Sequence, residues 1–196
     1  MMTQSTMNSV SIRSLSDGHS FSAEHLTALA DELGVALLAS AKSVALPREY
    51  ADMATAEAML CECAMAPLPS ERVVLTLDVD GVAVAMALPC GVADKLDGRP
   101  FMSPLLIGGA MERGISLWLS AGVAFVRLYD NGLKLAEAVE VATLADLRYL
   151  LESLDRVHNI YSTRARVTAD AEPWRSRFAE LSRTMRELFT DVVCEL

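Results

Sequence analysis

The segment from Ile115 to His158 constrains the fold most, because it predicts three strands in succession followed by one helix. Asn131-Gly132 separates the second strand from the third, and both residues tolerate the positive φ angles of a tight hairpin. The helix opens at Thr143 with Asp146 three residues later, a variant of the capping box. Its apolar residues then fall on one face: Leu147, Leu150, Leu151, Leu154 and Val157. A meander followed by a helix predicts the first half of an α/β unit.

The residues after this segment extend the pattern. They predict a strand over 162–168 and a last helix that begins near Pro173, a favoured first-turn residue. From Ile115 onward the order is therefore β-β-β-α-β-α, the core order of the ribonuclease-H-like half that actin-like ATPases use twice. The N-terminal part follows this order more loosely. We therefore predict an α/β protein of the actin-like ATPase (ribonuclease-H-like) fold, with two unequal βββαβα-type halves at 1–98 and 115–196 and a connection over 99–114.

Two segments resemble an uncharacterised bacterial family that has this fold. Residues 11–22, SIRSLSDGHSFS, resemble the family's S-I-x-x-S-x-x-G-x-S-F opening. Residues 129–135, YDNGLKL, and the later Thr143-x-x-Asp146 with Tyr149-Leu150-Leu151 resemble its N-G-K-L and T-x-E-D-x-x-Y-Y-L-L segments. The family carries no assigned activity, so the resemblance implies a fold and not a function.

An ATPase of this fold needs a phosphate-binding turn after the first strand of each half, where an Asp leads into Gly and a hydroxyl residue. In the first half, Asp17, Gly18 and Ser20 are the candidates for nucleotide binding. In the second half the equivalent turn, Ser120-Ala121-Gly122, has no carboxylate. A site that binds phosphates between the turns of both halves would therefore lack the carboxylate of the second turn. The sequence thus predicts a degenerate nucleotide site and no cofactor, with ATP and Mg²⁺ at the Asp17 turn as the alternative.

Asp78 and Asp80 form a second candidate site. The run that contains them, Asp-x-Asp-Gly after an apolar strand, resembles the nucleophile loop of haloacid-dehalogenase-like phosphatases. In those enzymes the first carboxylate attacks phosphorus, the second moves a proton, and Mg²⁺ offsets the charge. Val82 stands where Thr is usual, and no acidic pair follows downstream. A hairpin turn explains the same residues, so a Mg²⁺-dependent phosphatase is the weaker alternative.

The charge balance excludes some partners. With 17 basic and 26 acidic residues the net charge is −9, which argues against nucleic acid and against an anionic membrane surface. The N-terminal residues MMTQSTMNS lack a signal-peptide pattern, and no apolar run is long enough to span a bilayer. The four cysteines have no zinc-site spacing and are typical of free thiols in a reducing compartment. These features predict a cytoplasmic protein.

The last predicted helix carries apolar residues at heptad spacing: Trp174, Phe178, Leu181, Met185, Leu188 and Val192. This spacing favours a helix that packs on its own sheet, with a homodimer or a protein partner bound through the helix as the alternative. Together with the missing carboxylate at 120–122, it favours a non-catalytic binding or scaffold protein of the bacterial cytosol over an enzyme.

Overall fold

The computed structural model describes residues 10–14, 36–76, 81–96, 101–106 and 111–196. The described residues before 107 belong to one compact unit, and those from 111 onward belong to a second. None of the helices in these ranges is both long and apolar enough to cross a membrane.

Among the described residues, the first unit contains two groups of strands and two α-helices. Its elements are β1 (Val10–Ser14), β2 (Ala36–Ser40), β3 (Ser43–Pro47), α1 (Met53–Glu62), β4 (Glu71–Leu75), β5 (Val82–Pro89), α2 (Cys90–Leu96) and β6 (Phe101–Met102). β2 lies between β1 and β6, antiparallel to the first and parallel to the second. β5 lies between β3 and β4 and is antiparallel to both. Short 3-10 helices follow β3 and β6, at Arg48–Tyr50 and Pro104–Leu106.

α1 packs over β3, β4 and β5 and forms part of an apolar core with them. The carboxylate of Asp52 begins the helix by accepting the backbone N–H of Thr55 at 2.9 Å. The buried side of the helix packs into a cluster of buried apolar residues: Leu46, Ala56, Leu60, Val73, Ala85 and Ala87. This helix therefore covers one side of a three-stranded antiparallel arrangement.

The second unit contains the predicted succession of three strands, helix, strand and helix. Its elements are β7 (Arg113–Ser120), β8 (Val123–Asp130), β9 (Leu133–Glu140), α3 (Leu144–His158), β10 (Arg164–Ala169), α4 (Phe178–Leu188) and β11 (Asp191–Glu195), with a 3-10 helix at Ile160–Ser162. The strands lie in the order β11-β10-β7-β8-β9. β10 is parallel to both β7 and β11, and β8 is antiparallel to both β7 and β9.

The local signals in the sequence account for most of this unit. Asn131 and Gly132 have φ angles of 51° and 119°, as a tight hairpin requires. Thr143 and Asp146 form a full capping box, in which each side chain binds the other residue's backbone N–H. Val157, predicted to lie on the buried face of α3, is instead 76% exposed. The helix meets the sheet mainly through its first three turns, so the last apolar position lies beyond the contact.

One face of the second sheet packs against both of its helices. Alternate residues of β7, β8 and β10 point to this face because side chains alternate along a strand. They form one buried cluster with the inner residues of α3 and α4: Ile115, Leu117, Leu119, Val126, Leu147, Leu151, Ala165, Val167, Leu181 and Met185. Both helices therefore lie over the same side of the β7-β10 region.

The C-terminal helix is shorter than predicted. It spans Phe178–Leu188, whereas residues 172–177 form turns and Val192 lies in β11, parallel to β10. The heptad spacing thus runs through turns, a helix and a strand, and only its part between Phe178 and Leu188 lies in the helix. The adjacent β-branched Val192 and Val193 favour a strand, where they can pack on a pleated surface. Leu181 and Met185 are fully buried, so this part of the apolar seam packs within its own unit.

Candidate functional site

The residues that the sequence put forward for nucleotide binding lie outside the described residues. This holds for Asp17, Gly18 and Ser20, and it also holds for Asp78 and Asp80 of the phosphatase-like run. The turn at 120–122 is described, and it lies where β7 passes into β8. The site is therefore built from the second unit, starting from this turn.

Topology places this turn at a point where α/β sheets commonly bind ligands. β7 and β10 are adjacent and parallel, so their carboxyl ends meet at one edge of the sheet. From β7 the chain continues towards β8 and β9, whereas from β10 it continues to β11 on the other side. Ligands in open α/β sheets bind beyond the strand ends where the strand order reverses in this way. We call this place the carboxyl edge; Trp118, Ser120, Asp170 and Trp174 line it.

Asp170 is the acidic residue of the carboxyl edge. It directly follows β10 and is only 4% exposed. Its backbone N–H donates to the carbonyl of Leu119 at 3.0 Å, which holds the end of β10 against β7. Its Oδ2 accepts the indole N–H of Trp118 at 2.8 Å. One carboxylate oxygen is thus occupied by a side chain of the neighbouring strand.

A second tryptophan binds the turn itself. The indole N–H of Trp174 donates to the carbonyl of Ser120 at 2.8 Å, and the side chain is 1% exposed. Gly122 completes the turn with a φ angle of 73°. An indole N–H can only donate, so each buried tryptophan needs an acceptor, and this edge provides both. The ring of Trp174 at the same time joins the apolar core under α4.

These contacts define what the carboxyl edge can do chemically. A phosphate site needs backbone N–H groups, hydroxyls or a metal ion that face the anion. The turn instead contributes a carbonyl that is already bound to Trp174. Among the described residues no group of three or more His, Cys, Asp or Glu side chains could hold a metal ion. The described part of this edge is a packed hydrogen-bonded cluster.

A buried guanidinium lies on the same face of the sheet as Trp118. Arg127 of β8 pairs in register with Ser116 of β7, and Ser116 is two residues from Trp118. Its Nη2 donates to Ser116 Oγ at 2.9 Å, and its guanidinium carbon lies 5.8 Å from the centre of the Tyr129 ring. Burial lowers the pKa of Arg127; Tyr129 raises it and the nearby Arg166 lowers it further. A hydroxyl and an aromatic ring thus stabilise this charge from within the second unit.

Sequence reasoning missed Asp170 and both tryptophan contacts. A signal for Asp170 was present, because a carboxylate that directly follows a predicted strand is a frequent site residue in α/β folds. The bonds of Trp118 and Trp174 join residues 52 and 54 positions apart, so no local pattern reveals them.

The chain is similar in fold to a solved structure from Bacteroides thetaiotaomicron, described as a protein with actin-like ATPase fold and unknown function. The TM-score is 0.58, the sequence identity is 15%, and the match covers 80% of this chain. The fold is that of the actin-like ATPases. The match spans 65% of the neighbour's own length. No protein-family model matches the chain, and no curated protein sequence matches it. The predicted fold is thus supported, whereas the resemblance to a particular bacterial family stays a prediction.

Proposed function

We propose that this protein is a non-catalytic binding or scaffold protein whose actin-like ATPase fold no longer holds a nucleotide in its second half. The observation that carries the proposal is the closed carboxyl edge. Trp118 and Trp174 are 5% and 1% exposed, and their indole N–H groups bind Asp170 and Ser120. A phosphate at this turn would have to displace buried rings and leave two indole donors without acceptors, at about 1–3 kcal/mol each.

The element order supports the finer description of the fold. The succession β7-β8-β9-α3-β10-α4 supports a ribonuclease-H-like half over residues 115–196. We further propose that 1–98 is the degenerate first half and that 99–114 connects the two. In this description the second half has the core and the element order of a ribonuclease-H-like half, and its turn at 120–122 lacks the carboxylate of a phosphate site.

A thermal melt with and without Mg·ATP tests the proposal. We expect a change in Tm below about 1 °C at millimolar Mg·ATP, measured against MgCl₂ at equal ionic strength. A ligand present at about 100 times its Kd would add about 2.7 kcal/mol, which for a chain of this size raises Tm by about 5–10 °C. A rise of that size would contradict the proposal and favour the Asp17 alternative. Hydrolysis of p-nitrophenyl phosphate that is lost in Asp78→Asn would favour the phosphatase instead.

The partner surface we propose is the outer face of α4. Its inner residues Leu181 and Met185 are buried, whereas Arg183 and Arg186 are exposed and suit an acidic partner or a second copy. Association through this face is electrostatic and therefore screened by salt. By sedimentation velocity, we expect any homodimer at low salt to dissociate in about 1 M NaCl and in Arg183→Glu/Arg186→Glu. A homodimer that persists under both conditions does not use this face.

A further inference from the structure

A pocket of about 210 Å³ opens at the edge of the second sheet opposite the carboxyl edge. Four elements and one connecting residue bring its side chains together. Arg113 begins β7, Asp130 ends β8, Lys134 is the second residue of β9, His158 ends α3, and Thr163 directly precedes β10. Leu128 and Tyr129 add apolar surface to the wall. The pocket is thus formed by the body of the second unit rather than by a single loop.

The charges of this pocket are opposite in sign to the net charge of the chain. In a chain with net charge −9, Arg113, Lys134 and His158 meet in one small space. Within the described part of the chain none of these three side chains forms an ion pair or a side-chain hydrogen bond. Three other arginines of the unit form ion pairs, in Arg148–Glu152, Arg164–Asp191 and Arg177–Glu180. A guanidinium, an ammonium and an imidazole thus line the same volume without an ion-pair or side-chain hydrogen-bond partner among the described residues.

Asp130 is the acidic residue among those that line the pocket, and it partly offsets this charge. It lies opposite Arg113 in the β7–β8 register, without forming an ion pair with it. Its Oδ1 accepts the side-chain amide of Asn131 at 3.4 Å, a long hydrogen bond. Against Arg113 and Lys134, this one carboxylate leaves the lining with a net positive charge. The C-terminal carbonyls of α3 are the competing acceptors for the imidazole.

We propose that this pocket binds a small oxyanion of phosphate size and charge, either free or carried on a small organic molecule. A guanidinium forms paired hydrogen bonds with such an oxyanion, and an ammonium acts as a point charge beside it. The volume is below the range of about 300–1,000 Å³ typical of drug-sized ligands, so the pocket encloses a group of phosphate size rather than a whole nucleotide. The apolar wall of Leu128 and Tyr129 suits the organic part of a small phosphate ester.

Calorimetric titration of the full chain with inorganic phosphate, at pH 7 and constant ionic strength, tests this inference. We expect saturable binding that weakens about tenfold or more in Arg113→Gln and in Lys134→Gln. Lys95→Gln removes the same charge as Lys134→Gln from an exposed site on α2, and this control should bind like the wild type. Asp130→Asn removes the opposing charge and should bind several-fold more tightly. Phenyl phosphate distinguishes the two sources: tighter binding than phosphate indicates an ester, and equal binding indicates the free ion.

Two results would overturn the inference. One is the absence of saturable binding at tens of millimolar phosphate. The other is an equal loss of binding in Lys134→Gln and Lys95→Gln, which would indicate a general charge effect. Arg113, Lys134 and His158 are exposed, so the variants should fold, and far-UV circular dichroism checks this. Arg113→Gln and Lys134→Gln also distinguish this pocket from a nucleotide site, since the pocket and the carboxyl edge lie at opposite ends of β7: a Tm rise with Mg·ATP that persists in these variants does not come from the pocket.

Discussion

Replacing Trp174 by alanine is expected to lower the free energy of unfolding by about 3–5 kcal/mol. The side chain is 1% exposed and packs in the same cluster as Leu181 and Met185. Alanine removes this packing and leaves a cavity. It also leaves the carbonyl of Ser120 without its indole donor. Urea unfolding followed by far-UV circular dichroism gives the change directly.

Trp174→Phe separates the two contributions. Phenylalanine keeps most of the apolar contact but cannot donate to Ser120, so we expect a smaller loss of about 1–3 kcal/mol. A loss below about 1 kcal/mol in the alanine variant would mean that the ring is not part of the core. In that case the carboxyl edge would be open rather than packed.

Gly114→Ala is expected to destabilise the protein by about 2–5 kcal/mol. Gly114 has a φ angle of 152°, which residues with a side chain rarely adopt. A Cβ there would lie 2.5 Å from the carbonyl oxygen of Arg164, its register partner on β10. The contact is with backbone, so the two parallel strands would have to separate. The same urea titration measures the loss.

Gly91→Ala is the matched control. Gly91 lies in α2 and is exposed, and a Cβ added there would meet no atom within 4 Å. Alanine favours helix and restricts the unfolded chain, so this variant should gain about 0.4–1 kcal/mol. If both glycine variants changed stability in the same direction, the close approach of β7 and β10 would not explain the effect of a side chain at position 114.

The sequence predicted those parts of the fold that rest on short-range chemistry. Asn131-Gly132 required a hairpin and Thr143 with Asp146 required a helix start, and both interactions span only a few residues. The succession of elements in the second unit followed from them. The likeness to a solved actin-like ATPase fold supports the class that this order indicated.

The remaining features depend on contacts that are distant in sequence. Val192 continues the heptad spacing, but it pairs with Ala165 across a parallel ladder and so lies in a strand. Asp170 is a site candidate only because β10 ends beside β7, a contact between strands more than 40 residues apart. The pocket around Arg113 and His158 likewise joins four elements and the residue before β10. Residue spacing alone contains none of this information.

Tryptophan fluorescence tests directly whether the two tryptophans close the carboxyl edge to nucleotide phosphates. The sequence contains two tryptophans, Trp118 and Trp174, so all indole fluorescence of the protein reports on this edge. We predict the blue-shifted emission of buried indoles. With excitation at the red edge of the indole band, where adenine does not absorb, titration with Mg·ATP should change neither the wavelength nor the intensity of this emission. A saturable quench or shift that MgCl₂ alone does not produce would contradict this closure.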